Sequence, residues 1–137
     1  MTSLNHNQNP WKMLLRRARG NSRPGFMKRN GTKRDHWLDV EITEQHLIEL
    51  YKKQNGRCYW SNYPLNPNDV FKKHCPQSIS LDRLDDSRGY VPGNVVLTTR
   101  GENLGRKDCP VDVYRKYVEE RKLYSNNNLE PNTLDFL

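Results

Sequence analysis

Apolar positions along the chain fall into short groups, separated by polar stretches rich in glycine, proline and asparagine. Trp11, Leu14, Leu15 and Ala18 recur at helical spacing and predict a short amphipathic helix. Gly20, Pro24, Gly25, Asn30 and Gly31 then interrupt regular structure. A second helix is predicted behind Thr43, whose hydroxyl suits an N-cap, with Glu44 at the positive end of the helix dipole. Leu47, Leu50 and Tyr51 share one face of it, Ile48 lies beside them, and Asn55-Gly56 supplies the stop. Arg57-Cys58-Tyr59-Trp60 has strand character, and Ser61-Asn62 can turn it back through Tyr63-Pro64-Leu65 as a hairpin. Residues 66–77 read as a polar loop.

Further along, Ile79-Ser80-Leu81 alternates as a half-buried strand does, and Asn94 to Thr98 forms a β-branched run. Between them lies a charged loop with two glycines. Thr99 and Glu102 have capping-box spacing, which starts a helix near Arg100 that carries Asn103 and Lys107. Pro110 ends or redirects it. Val113, Tyr114, Tyr117 and Val118 mark a last amphipathic helix, ending near Leu123. From Ser125 the chain is Asn-rich and acidic. The class is α+β, with strand, loop, strand and helix in succession at its centre.

Charge sharpens this picture. The 137 residues carry a formal net charge of +7, and 34% are hydrophobic, enough for one small core. No apolar run is long enough to cross a bilayer, and the first ten residues are polar, so neither a membrane span nor a secretory leader is expected. Cys58, Cys75 and Cys109 are read as reduced thiols in a cytoplasmic compartment. Between Trp11 and His36 stand nine basic residues, Lys12, Arg16, Arg17, Arg19, Arg23, Lys28, Arg29, Lys33 and Arg34, opposed only by Asp35. Such a segment reads as an arm along a phosphate backbone; the bland reading is a solubilising tail.

The chemistry concentrates in Ser80-Leu81-Asp82-Arg83-Leu84-Asp85, then Gly89-Tyr90-Val91-Pro92-Gly93-Asn94-Val95-Val96, then Asn103 and Lys107. A helix packed across the two strands can aim Asp82 and Asn103 into one groove. One carboxylate and one amide oxygen suffice for Mg²⁺, which keeps other positions for water and phosphate. Taken singly, each residue also has an ordinary use: Asp82 in an ion pair, Asn94 in a turn, Asn103 on a helix surface, Lys107 as a solvated lysine.

The ordered set, with the upstream Asn-Gly-Arg-Cys hairpin, resembles the HNH (ββα-metal) endonuclease superfamily over roughly residues 43–123. The resemblance implies a ββα-metal core flanked by helices and hydrolysis of DNA phosphodiesters with one Mg²⁺ or Mn²⁺, in a phage- or intron-associated protein. Asp82 and Asn103 match the metal ligands, Asn94 the middle asparagine, and Lys107 a basic residue one turn later. Arg83 stands where the family has its general-base histidine. A guanidinium has a pKa above about 12 and cannot readily take a proton from water. Three readings of Arg83 stand open: a clamp on the phosphate with His74 as base, action through Tyr90 or a metal-bound hydroxide, and an inactive site. Arg100 and Arg106 join Lys107 and the basic segment as candidate DNA contacts. A structural Zn²⁺ is not expected, because Ser61 stands where a second thiolate would follow Cys58.

The expected organisation is a basic arm over 1–42, a nuclease-like domain over 43–123 and a polar tail over 124–137. Double-stranded DNA is the expected partner, with a homodimer or a phage protein as further partners. The reading from a different class is a non-catalytic DNA-binding or packaging accessory with the same fold.

Overall fold

A computed structural model describes residues 8–126. His6, with no functional pattern, and most of the tail expected over 124–137 lie outside them. Helix α1 spans Pro10–Asn21. It starts where Asn9 Oδ1 accepts from the amides of Trp11 and Lys12, with Pro10 in the first turn, where its missing N–H costs nothing. Helix α2, Glu44–Lys53, has Thr43 as its N-cap. Asn9 Nδ2 donates to Glu44 Oε1 (2.9 Å), so the two helix starts are tied together. Leu14, Leu15 and Ala18 of α1 and Leu47 of α2 enter one apolar core with Ile79, Leu81 and Leu97. The segment read as an arm is thus packed into the body from residue 10 onward.

After α2 the chain turns through Asn55 and Gly56, both at positive φ. The hairpin expected over 57–65 is reduced to a single bridge, Arg57 to Pro64, with Asn62 left-handed at the turn. It has too few paired residues to form strands. A 3₁₀ turn, Pro67–Phe71, interrupts the loop expected over 66–77 and buries Val70.

Strands β1 (Ile79–Arg83) and β2 (Val95–Thr99) pair antiparallel, with Leu81 opposite Leu97 and Asp82 opposite Val96. All five β2 residues are buried. The outer edge of β2 is closed by Gln54, whose side-chain amide both accepts from Leu97 N and donates to Leu97 O (2.9 Å each), as a neighbouring strand would. Tyr59 N also donates to Leu97 O.

Helix α3, Arg100–Arg106, follows β2 directly and lies against both strands. Thr99 Oγ1 caps it by accepting from Glu102 N (3.2 Å). The Glu102 carboxylate does not turn back to complete the expected box. It accepts from the Tyr114 hydroxyl and from Arg121 Nη2, and so anchors helix α4, Val111–Asn126, beside α3. β1, β2 and α3 give a two-stranded sheet with a crossing helix inside a mixed α+β fold. Among the described residues, no helix is long and apolar enough to cross a membrane.

Candidate nucleic-acid interface

β1 pairs with β2 along one edge only, and the other edge borders a cleft of about 410 Å³. Residues 79–83 line it in succession, joined by Asp86, Tyr90, Asn103 and Asp108. The facing wall comes from the N-terminal segment, including Arg17, Lys28, Arg29 and Arg34. Asp82 and Asn103 therefore border one space, although neither side chain is idle.

Asp82 is almost fully buried. Its Oδ2 accepts from Trp60 Nε1 (2.8 Å) and Arg106 Nε (3.1 Å), and its Oδ1 from Arg106 Nη2 (2.5 Å). This is a bidentate, charge-assisted pair, a strong form of carboxylate recognition. Burial alone would lower the Arg106 pKa, but the hydrogen bonds and charge of Asp82, with Asp86 beyond it, hold the guanidinium above its ordinary value. Arg106 was expected on DNA. It is instead buried, with Nη2 also donating to the Arg83 carbonyl and Nη1 to that of Cys109, so its guanidinium is turned inward on protein partners. Trp60, also buried, carries the second donor to Asp82.

Asn103 sits on the inner face of α3. Its Nδ2 donates to Ser80 Oγ (2.7 Å) and Leu81 O (3.3 Å), and its Oδ1 accepts from Arg29 Nη2 (3.0 Å). Asn94 has another task. Its Oδ1 accepts from Asp85 N, and its Nδ2 donates to Asp85 O and Gly89 O, so it braces the β1–β2 loop from within. Gly89 is required there, since a Cβ would collide with the Asp39 backbone. The loop is fixed further where Tyr90 N donates to Asp39 O and Glu41 N to Tyr90 O.

Arg83 is held rather than loose. Its Nη1 donates to Asp86 O (2.7 Å) and Arg88 O (2.8 Å), and its guanidinium lies 5.4 Å from the Tyr90 ring centroid. Among the described residues, Nε and Nη2 of Arg83 make no hydrogen bond, and Arg83 is one of the residues lining the cleft. Buried Arg34 bonds Asn21 O (3.1 Å); its pKa is lowered first by burial and then by the nearby charge of Arg83, with Tyr90 opposing.

The remaining expected residues are dispersed. His74 is exposed in the loop after the 3₁₀ turn and does not line the cleft. That removes it from the position a base would need. Arg100 and Lys107 are exposed on α3 and just beyond it, outside the lining; Lys107 is left-handed, with φ of 52°, as it leaves the helix. Arg16, Arg19, Arg23 and Lys33 are exposed near the N-terminal wall without lining the cleft. Asp86 and Asp108, which the sequence did not single out, do line it; both are ordinary loop aspartates, and no spacing marks them.

A divalent cation of the kind the resemblance implies needs hard oxygen donors with free lone pairs. A carboxylate offers about four acceptor sites and an amide oxygen two. Among the described residues, the Asp82 carboxylate accepts three hydrogen bonds, two at Oδ2 and one at Oδ1, and Asn103 Oδ1 accepts one, from Arg29, which leaves one site on each Oδ1. The pair fits Mg²⁺ in donor type and in open acceptor sites. Its charge balance depends on the surrounding arginines, and Arg29 is exposed and displaceable whereas Arg106 is not. No group of three or more His, Cys, Asp or Glu converges among the described residues. Cys58 is buried with its sulfur accepting from Thr99 N, and Cys75 and Cys109 are free thiols.

No family model, curated protein or solved structure matches the chain.

Proposed function

We propose that this protein is an HNH-type DNA endonuclease that hydrolyses phosphodiesters at the cleft beside β1. The observation that carries the reading is the convergence of Asp82, Arg83 and Asn103 on one cleft whose opposite wall is cationic. Arg17, Lys28 and Arg29 hold the DNA backbone there. Arg83, fixed by two loop carbonyls and the Tyr90 ring, is an electrostatic clamp on the scissile phosphate rather than a base. Asp86 or Asp108, both lining the cleft, takes the proton from the attacking water on this reading. Asp82 and Asn103 would hold Mg²⁺ or Mn²⁺, which when bound supplies charge stabilisation for the pentacoordinate phosphate and the leaving alkoxide. Buried Arg106 and Trp60 position Asp82 and touch no substrate.

One observation favours a second reading. The Asp82 carboxylate is already neutralised by Arg106, and cations outnumber acids around the cleft, which suits an anion better than a free cation. On this reading the chain is a DNA-binding accessory that seats phosphates without cutting them. Supercoiled plasmid incubated with the purified protein and Mg²⁺ or Mn²⁺ separates the two. Metal-dependent nicking supports the endonuclease; duplex binding without nicking under any divalent ion supports the accessory. Under either, log Kd should vary steeply with log salt, with a slope of about 0.9 for each neutralised phosphate.

A further inference from the structure

The N-terminal wall of the cleft ends in a small finger. Gly25 N and Arg34 N bond across to Arg34 O and Phe26 O, Met27 bridges Lys33, and Lys28 N donates to Thr32 O, so residues 25–34 double back on themselves. Asn30 closes the tip through Thr32, and Gly31 takes the left-handed φ of 86° that the turn requires. Arg29 projects from this tip across the cleft. Its Nη1 donates to Asn103 O and Lys107 O (3.1 Å each), and its Nη2 to Asn103 Oδ1 (3.0 Å). The two backbone acceptors belong to the carbonyl end of α3, where the helix dipole favours a cation. One exposed arginine thus spans 74 residues of sequence to link the two walls of the cleft and to occupy the amide oxygen assigned above to the metal.

We infer that Arg29 is a substrate-released latch, a positioning residue with two alternative partners. In the free protein its guanidinium rests on the end of α3 and holds Asn103. When a DNA backbone enters, a phosphate competes for the same fork of N–H donors. A phosphate carries full negative charge and accepts bidentately, so it outcompetes neutral carbonyls for the guanidinium. Transfer of Arg29 to the phosphate releases Asn103 Oδ1 and pairs the guanidinium charge with an anion. Cation binding is thereby favoured only once DNA is seated. The inference rests on the DNA-directed reading above and adds its order of events.

The test uses the full chain with a short duplex in EDTA, so that nothing is cut. The Asn103 side-chain amide is followed by ¹⁵N-edited NMR, and duplex affinity is measured across salt. The amide signal should move on duplex saturation toward the position it holds in DNA-free Arg29→Ala. That variant should lose about 0.9 from the log–log salt slope, and Arg29→Lys should restore the slope because it keeps the charge. Duplex binding with an unmoved Asn103 amide, or with an unchanged slope in Arg29→Ala, overturns the latch alone. Failure of the wild-type chain to bind duplex at low salt overturns the DNA-directed reading, and the latch with it.

Discussion

The two walls of the cleft differ in how they are built. The β1–β2–α3 wall is local: 28 residues, from Ile79 to Arg106, form both strands and the helix, and register and caps follow from neighbours in sequence. The facing wall, from α1 through the 25–34 finger, reaches the body only through distant contacts. These include Arg29 on Asn103, Arg17 Nη2 on Val70 O (2.9 Å) and Asn9 on Glu44. A wall of the first kind is specified by short-range pattern. One of the second kind exists only when the core it docks on has formed.

That contrast gives an ordered set of tests. The largest effect is expected at the buried pair beneath the local wall. Asp82→Ala leaves Arg106 buried without its counter-charge and should cost about 3–5 kcal/mol in denaturant unfolding, whereas Asp82→Leu combined with Arg106→Met should recover most of it. Next comes the distant wall. Leu14→Ala should cost about 2–5 kcal/mol, because Leu14 fills the common core, while exposed Arg16→Ala should stay within about 0.5 kcal/mol. A merely solubilising tail would show no difference between the two. Asn94→Ala should cost about 1–3 kcal/mol, since three hydrogen bonds that hold the β1–β2 loop lose their partner.

The smallest expected effect lies at α4. Burial, and then the hydrogen bond to Glu102, push the Tyr114 hydroxyl above its ordinary pKa. A pKa raised by folding contributes stability that is fully present below the unfolded value, about 10, and is lost as pH rises above it. Alkaline unfolding should therefore begin above about pH 10 in the wild type and be shallower in Tyr114→Phe.

How much of this was legible follows the same division. Thr43 and Thr99 cap the helices that their spacing announced, and Ile79, Leu81 and the 95–98 run lie in strands, because capping and alternation act within a few residues. The cluster Asp82, Arg83 and Asn103 was legible as an ordered set. Its real partners were not. Trp60, Arg106 and Arg29 carry no local signal for what they touch, since each meets its partner across 22 residues or more. Leu14, Leu15 and Ala18 were visible as a helical face, but the pattern could not say what covered it. Glu102 shows the reverse error: a correct local motif whose side chain was claimed by Tyr114 and Arg121 of the next helix.

The central claim is that Asp82 and Asn103 serve one hydrolytic centre, and Asn103→Ala tests it without removing the counter-charge of Arg106. The measurement is the rate of supercoiled-plasmid nicking in Mg²⁺, taken at equal duplex occupancy for wild type and Asn103→Ala, with the fold of each checked by circular dichroism. Nicking by the wild type that falls by about 10²–10³ in the variant is expected, the scale of losing one positioned partner of developing charge. Nicking that persists undiminished in the variant, or that no divalent ion elicits from the wild type, contradicts the claim.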